Sequence, residues 1–401
     1  MPRSNKKIHI IGAGFSGLMA AYFLKKKNHE VLISESHQIG GAIRTVQTPF
    51  GIAEEAASSF LWTPLLGEIC SELQIELTAL SRASRKRYVA HATPILVSPL
   101  AAGPALLRYL WHRVRGRHVP HQNESLTEWG HRTLGSGFTE KILLPATLGV
   151  WGLTADRLSA SLILSPFLFR DKNRSKRGGS VAPLAGMGTF THALSNRLQA
   201  MGVQFQQANC EDRPDADAVI LAMNWRQKLN WLQKLSPSTA SVYSKMTGGS
   251  ITTTTVFHEK TEQSHPYPGF GILFHPSFQW SHSGVLFNDQ IFQGRGPHQS
   301  ETWISDDKAP LLPEGVLETI RADRDRLGLK GRFLGFHQKK WQNFLPQYTI
   351  SHEQLLRELA SHQEDLASQK IYLVGNELGE IGLASLAEKA DRLAQSIGNK
   401  T

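Results

Sequence analysis

Apolar residues along this chain fall in short blocks whose spacing switches between strand-like and helix-like. KIHII (residues 7–11) reads as a buried strand, residues 14–27 as a helix and residues 30–34 as a second strand, which makes a βαβ unit. Leu65, Leu66, Ile69 and Leu73 recur at helical spacing and close this first block near residue 80. From Pro99 to about Arg170 the pattern is helical. Leu106, Leu107, Leu110, Trp111 and Val114 form one stripe there, with Arg108, His112, Arg115 and Arg117 on other faces. A polar linker (171–180) ends in glycines, GTFTHALSNRLQAMG reads as a helix stopped by Gly202, and ADAVILAM (216–223) as a strand. SITTTTVF, GFGILF and GVLFNDQIF predict further strands, the threonine run being half-exposed. A helix over 312–326, the segment FLGFHQKKW, a loop QNFLPQYTISH, a polar helix, a strand KIYLVGN and a last helix from about Leu383 complete the reading, without internal repeat.

Composition narrows the class. The chain's 401 residues, 40% hydrophobic, suffice for a large core and two to three domains. Cys70 and Cys210 are far apart and outside any CxxC or Cys/His spacing, which argues against a disulfide framework or zinc site and suits a reducing cytoplasm. No apolar run reaches the ~18 to 20 residues of a spanning helix. With 44 Lys and Arg against 34 Asp and Glu the net charge is +10, concentrated in SRASRKRY (81–88) and RYLWHRVRGRH (108–118). That favours lipid headgroups, nucleic acid or polycarboxylate ligands. The basic start MPRSNKK before an apolar run invites a signal-peptide reading, but glycines interrupt the run and no cleavage site follows.

Those glycines carry chemistry. Gly12, Gly14 and Gly17 give a tight turn, close backbone approach to a pyrophosphate and close helix packing, with the phosphate at the helix N-terminus. Glu35 ends the second strand, where a carboxylate accepts hydrogen bonds from an adenosine ribose. GGAIRT (40–45) follows. At these residues the chain resembles the FAD-dependent oxidases and desaturases that include amine oxidases, whose GGxxR segment lies along the pyrophosphate; Gly40, Gly41 and Arg44 match it. IYLVGNELGEIGLASLAEKA is similar to that group's closing motif, which sets a helix N-terminus toward the flavin.

Residues 269–297 (GFGILFHPSFQWSHSGVLFNDQIFQGRGP) and KKWQNFLPQYTISH strongly resemble the protoporphyrinogen oxidases, and KRYVA, LGVWGLTADRLSAS and APLAGMGTFTHAL extend the likeness in order over nearly the whole chain. The resemblance implies an α/β protein. Its discontinuous Rossmann-like FAD-binding domain spans 1–80, 178–224 and 336–401, its mixed-sheet substrate domain 81–98 and 225–335, and an inserted helical, membrane-associating domain 99–177. It implies non-covalent FAD and a six-electron oxidation of protoporphyrinogen IX to protoporphyrin IX in heme biosynthesis, in three two-electron steps with oxygen as acceptor. A related branch acts on coproporphyrinogen.

By match to the family's segments, Arg87 is the candidate to pair a propionate, Leu273 and Phe287 the candidates for apolar walls, and Gly149 for a close backbone contact. Cofactor contacts are expected from Gly12, Ala13, Gly14, Phe15, Ser16 and Gly17, from Glu35 and Ser36, and from Gly41, Ala42 and Arg44. Ala57, Ser58, Ser59, Gly375, Asn376, Ile381, Gly382 and Leu383 complete that set. The flavin does the redox chemistry, so no protein residue is assigned as catalytic base, no metal site is expected, and His352 is read as a structural loop residue. The helical region suits an in-plane interfacial helix held by anionic lipid at the inner face of the cell membrane, with no nucleic-acid partner. The sequence is compatible with a homodimer.

Three places depart from the family. Only DRPD stands where a β-meander normally runs beside the adenine half of FAD, Glu380 replaces a glycine, and EEAASSF (54–60) replaces ELGxxSF. Two rival readings remain: an amine or carotenoid oxidase of the same fold, although GNELGEIGLASL lacks the aromatic cage and cysteine of amine oxidases, and a non-catalytic flavin-binding relative.

Overall fold

The computed structural model describes residues 5–168, 177–261, 265–305 and 313–399. Most of the 171–180 linker, and Leu312 at the start of an expected helix, lie outside them.

Two sheets organise the chain. The first is fully parallel, in the order Gln204–Gln207, Glu30–Glu35, Lys7–Ile11, Ala218–Leu221, Ile371–Leu373. Ile10 sits in register with Ile33 on one side and Ile220 on the other, and none of the three is exposed. Helices Phe15–Lys25, Gly188–Ala200 and Leu383–Asn399 share one core with these strands. On the other face Val219 and Leu221 pack with Trp231, Leu232, Val242 and Tyr243. Burial on both faces is why the strands read as continuous apolar runs rather than alternating ones.

The second sheet runs Phe333–Pro346, Gly248–His258, Gln299–Ser305, Gly284–Phe287, Gly271–Phe274, Tyr88–Ala90, Pro94–Leu96. Only the Tyr88–Ala90 and Gly271–Phe274 pair is parallel. One face packs Val256, Ile272, Phe274, Val285, Phe287 and Trp303 against the Pro313–Leu327 helix. From the other, Leu286 packs against the core of the first sheet, as does Phe270. Between Pro99 and Leu168, helices Pro99–Val114, Leu126–Thr133, Leu144–Trp151 and Ala160–Leu168 surround Trp129, Leu153, Leu158 and Ile163, with Tyr348.

Several expectations shift. Thr252, Thr254 and Thr255 are buried rather than half-exposed, because their strand lies between two neighbours and pairs its hydroxyls, Thr255 with Thr302 at 2.9 Å. QNFLP is no loop: it finishes the long edge strand Phe333–Pro346. His352 lies buried in the first turn of the Ile350–Ser361 helix, capped by Thr349. The boundary at 336 falls inside that edge strand, and the Trp225–Leu235 helix shares a core with the parallel sheet. The hairpin Thr45–Thr48 with Gly51–Glu54 leaves no signal in the sequence, because strands this short show no period.

Candidate functional site

A cavity of about 1270 Å³ opens where the carboxyl ends of the first sheet's strands meet the second sheet, the usual ligand position in parallel α/β sheets. Its floor is backbone. At Gly12 (φ +106°) a Cβ would stand 2.7 Å from the Met223 nitrogen, and at Gly17 only 2.0 Å from the Gly12 carbonyl oxygen, so both positions exclude side chains. A Cβ at Gly14 would meet nothing within 4 Å: that residue faces open space and caps the Phe15–Lys25 helix, with no side chain taking its first amides. Free amides at a helix N-terminus attract an anion. The Gly40 amide donates to the Ala13 carbonyl at 2.9 Å, which brings the GGAIR turn over the glycine loop, and a Cβ at Gly41 would press the Gly14 Cα at 3.0 Å. Arg44 lines the same cavity, its Nε buried and without a hydrogen-bond partner. Glu35 is fixed by the Ala13 amide at 2.7 Å and the His37 amide at 2.9 Å, leaving lone pairs for a ribose. These donors and acceptors fit a dinucleotide.

The closing motif forms the far side. Gly382 (φ +87°) leads into the Leu383–Asn399 helix, and Ile381, Gly382 and Leu383 all line the cavity. Glu380 is turned aside: its carboxylate lies 3.6 Å from Arg392 and 4.0 Å from Lys389, so the departure from glycine places no carboxylate in the cavity wall. Beneath Gly375 and Asn376 is an ionic support that the sequence did not reveal. Lys228, fully buried, donates to the Val374 carbonyl at 2.6 Å and pairs with Glu377. Tyr243 donates to the same carboxylate at 3.3 Å, Tyr348 to the Asn376 carbonyl at 3.0 Å, and His352 Nε2 sits 2.8 Å from the Glu377 carbonyl. Burial pushes the Lys228 ammonium and the His352 imidazole below their ordinary pKa values and the Tyr243 hydroxyl above its own.

EEAASSF divides its carboxylates between structure and cavity. Glu54 accepts from Thr45 at 2.6 Å and the Met187 amide at 2.9 Å and lies 3.4 Å from Arg295; burial raises its pKa all the same. Glu55 lines the cavity, with His337 at 3.3 Å and Lys339 at 3.5 Å, while its carbonyl accepts from the Trp341 indole at 2.7 Å. Lys339, Trp341, Phe344, Trp151 and Arg177 complete this wall.

Of the expected cofactor residues, all line the cavity except Ala13, Gly17 and Ser58. Ala13 contributes the amide held by Glu35, Gly17 packs the helix, and the Ser58 carbonyl lies 3.5 Å from Arg295. None of the four expected substrate residues lines it. Arg87 is exposed, its guanidinium 4.2 Å from the Phe270 ring centre, and burial of part of the group lowers its pKa. Gly149 and Leu273 do meet, since a Cβ on Gly149 would lie 2.5 Å from Leu273 Cδ2. Phe287 faces the other way, fully buried in the helix-side core beside the His265 ring. Two of the wall residues the sequence missed, Lys339 and Trp341, had one signal: they alternate along one strand, which puts them on one face. Among the described residues no cluster could hold a metal ion, and no helix is long and apolar enough to cross a membrane.

Comparison with known proteins agrees with this geometry. The NAD(P)-binding Rossmann-like domain family matches residues 10–73. Protoporphyrinogen oxidase 2 (chloroplastic/mitochondrial) of Arabidopsis thaliana is 22% identical, over 95% of this chain and 91% of its own length. Coproporphyrinogen III oxidase of Bacillus subtilis is 21% identical over 96% of each. Cyclohexylamine oxidase of Brevibacterium oxydans superposes with a TM-score of 0.73 at 14% identity, over 98% of this chain and 99% of its own. Over nearly its full length the chain is therefore similar to protoporphyrinogen and coproporphyrinogen oxidases, and it has the flavin amine oxidase-like fold.

Proposed function

We propose that the protein is an FAD-dependent porphyrinogen oxidase of heme biosynthesis that converts protoporphyrinogen IX to protoporphyrin IX with oxygen as acceptor, coproporphyrinogen III being the alternative substrate. One observation carries the reading: a single cavity runs from a dinucleotide clamp of glycines and Glu35 to a wall of Trp151, Trp341 and Phe344 with Lys339 among them. A porphyrinogen is a broad apolar ring with carboxylates on its rim, and it needs that combination of aromatic surface and fixed cation.

When bound, FAD supplies the acceptor for the two electrons leaving the macrocycle in each step. The Gly14 amide and the Arg44 guanidinium would hold its pyrophosphate, with Gly12 and Gly41, whose amides bond the Ser34 and Gln38 carbonyls, allowing close approach; Glu35 would hold its ribose, and Ile381 to Leu383 would bring the helix end to its ring. Lys339 would take one substrate carboxylate. Arg87 would take another side of the macrocycle, beside the contact of Leu273 with Gly149 of the Leu144–Trp151 helix, and Phe287 would back the second sheet from its helix side. The exposed Ile95, Leu96, Leu106, Leu107, Leu110, Trp111 and Val114, with Arg115 lying 4.0 Å from the Trp111 ring, support docking of the Pro99–Val114 helix on an anionic membrane face.

The test is direct. Purified protein should carry a flavin spectrum, and adding either porphyrinogen under air should produce porphyrin fluorescence faster than in buffer. Flavin-loaded protein that accelerates neither oxidation would overturn the assignment, and the faster of the two would name the substrate.

A further inference from the structure

Beyond the ribose carboxylate of Glu35, the cavity continues past the part that the glycine motifs explain. The Ala208 amide donates to the Glu35 carbonyl at 3.1 Å, so residues 208–211 leave the sheet beside that carboxylate, and all four line the cavity. Their conformation is set by the Trp225–Leu235 helix. The Trp231 indole donates to the Cys210 carbonyl at 2.6 Å, and Lys234 reaches the Glu211 carbonyl at 3.3 Å and Asp212 at 3.0 Å. Gln227, Asn230, Trp231 and Lys234 stand at i, i+3, i+4 and i+7, one helix face, and all line the cavity. Gln227 and Asn230 are exposed, and neither side chain is hydrogen-bonded among the described residues.

This face matches an adenine in chemistry. The base presents one amine donor and several ring-nitrogen acceptors in a plane, and a primary amide offers both a donor pair and an acceptor. Trp231 is buried to 5% exposure and its N–H is already used, so it can present only ring surface to a base. The short DRPD passage places no further strand over this end, which leaves the helix as the wall on that side.

We propose that Gln227, Asn230 and Trp231, with the loop 208–211 that Trp231 and Lys234 hold, form the adenosine seat of the bound dinucleotide. The proposal rests on the FAD reading above and assigns the recognition of the cofactor's far end to helix side chains. It is tested on apoprotein by titration with FAD, ADP and FMN. Gln227→Ala/Asn230→Ala should weaken FAD and ADP by at least tenfold, by equal factors, and leave FMN, which lacks the adenosine, unchanged. Trp231→Phe keeps a ring but frees the Cys210 carbonyl, and should weaken FAD by a smaller factor. FAD affinity within twofold of the parent protein in the double variant, or an equal loss for FAD and FMN, would overturn the seat. Parent protein that binds neither flavin would instead defeat the flavin reading itself, and the seat with it.

Discussion

The two sheets solve burial in opposite ways. The strands of the parallel sheet hide mainly hydrocarbon, with Ile8, Ile10, Ile33, Val219, Ile220 and Leu221 unexposed; the buried Lys228–Glu377 pair lies on the helix and turn that flank them, and the binding features lie in the backbone where the strands end. The second sheet hides charge. Glu301, unexposed, pairs with Arg324 and accepts from Gln299 at 2.6 Å and Trp303 at 3.0 Å, and His282 meets Asp323 at 2.7 Å. Its cavity side is made of side chains, Lys339 and Trp341, facing Glu55 from a distant part of the chain. A site made of backbone requires glycines at fixed spacing. A site made of side chains requires only that alternate residues of one strand meet a partner from elsewhere, and it leaves no local motif.

The sharpest way to break the first solution is Gly17→Val. The Gly12 carbonyl oxygen would lie 2.0 Å from the new Cβ, and it belongs to backbone that cannot swing away, so helix and glycine loop must separate. A loss of more than ~4 kcal/mol is expected, in the range reserved for core overpacking and backbone strain. Denaturant unfolding and flavin retention on a desalting column check it; a variant that stays yellow and melts near the parent would show that the loop tolerates the shift.

The second sheet should instead be vulnerable to acid. His258, 5% exposed, has its pKa lowered to about 4 by burial and by Arg324. The folded-state value lies below the unfolded one, so the fold holds the neutral ring. Its contribution is intact above about pH 6.5 and declines as pH falls toward 4, by about 3 kcal/mol for this shift. Replacing the residue with a group that cannot titrate, His258→Asn, should flatten that part of the stability curve between pH 6.5 and 4. Parallel curves for the two proteins would show that folding does not lower the pKa of this ring.

The same contrast sets what could be read from the amino acids. The βαβ unit and Glu35 were legible because period and glycine spacing are themselves the requirement there, whereas GGAIR and the closing helix were legible through resemblance to a flavoenzyme family. Lys228 with Glu377 was not: a lysine on a helix and a glutamate in a turn become a pair only after the strands Ala218–Leu221 and Ile371–Leu373 are set side by side. The polar interior of the second sheet is hidden in the same way, since TTTT signals a half-wet strand unless a partner such as Thr302, which shares a hydrogen bond with Thr255, lies on the neighbouring strand. Phe287 is a wall candidate only by match to the family's GVLF segment, and the pleat decides which face it takes.

The smallest effect discriminates most finely between backbone-made and side-chain-made recognition, because it compares two cations. Lys339 stands in the cavity wall beside Glu55, whose side chain is only 8% exposed, whereas Arg87 is exposed and rests on Phe270. A carboxylate bound by the sheltered ammonium is worth more than one bound by a solvent-screened guanidinium. Lys339→Met should therefore raise KM for the porphyrinogen about tenfold, which is ~1.4 kcal/mol, and leave FAD affinity unchanged. Arg87→Ala should change KM by no more than about threefold, the scale of an exposed ion pair. Removing Lys339 also strips Glu55 of a partner, so Glu55→Gln/Lys339→Met distinguishes the two consequences: it should recover any lost melting temperature without recovering KM. If Arg87→Ala has the larger effect on KM, the macrocycle's carboxylates lie along Gly149 and Leu273 instead, and the edge strand Phe333–Pro346 serves the cavity as a wall rather than as an anchor.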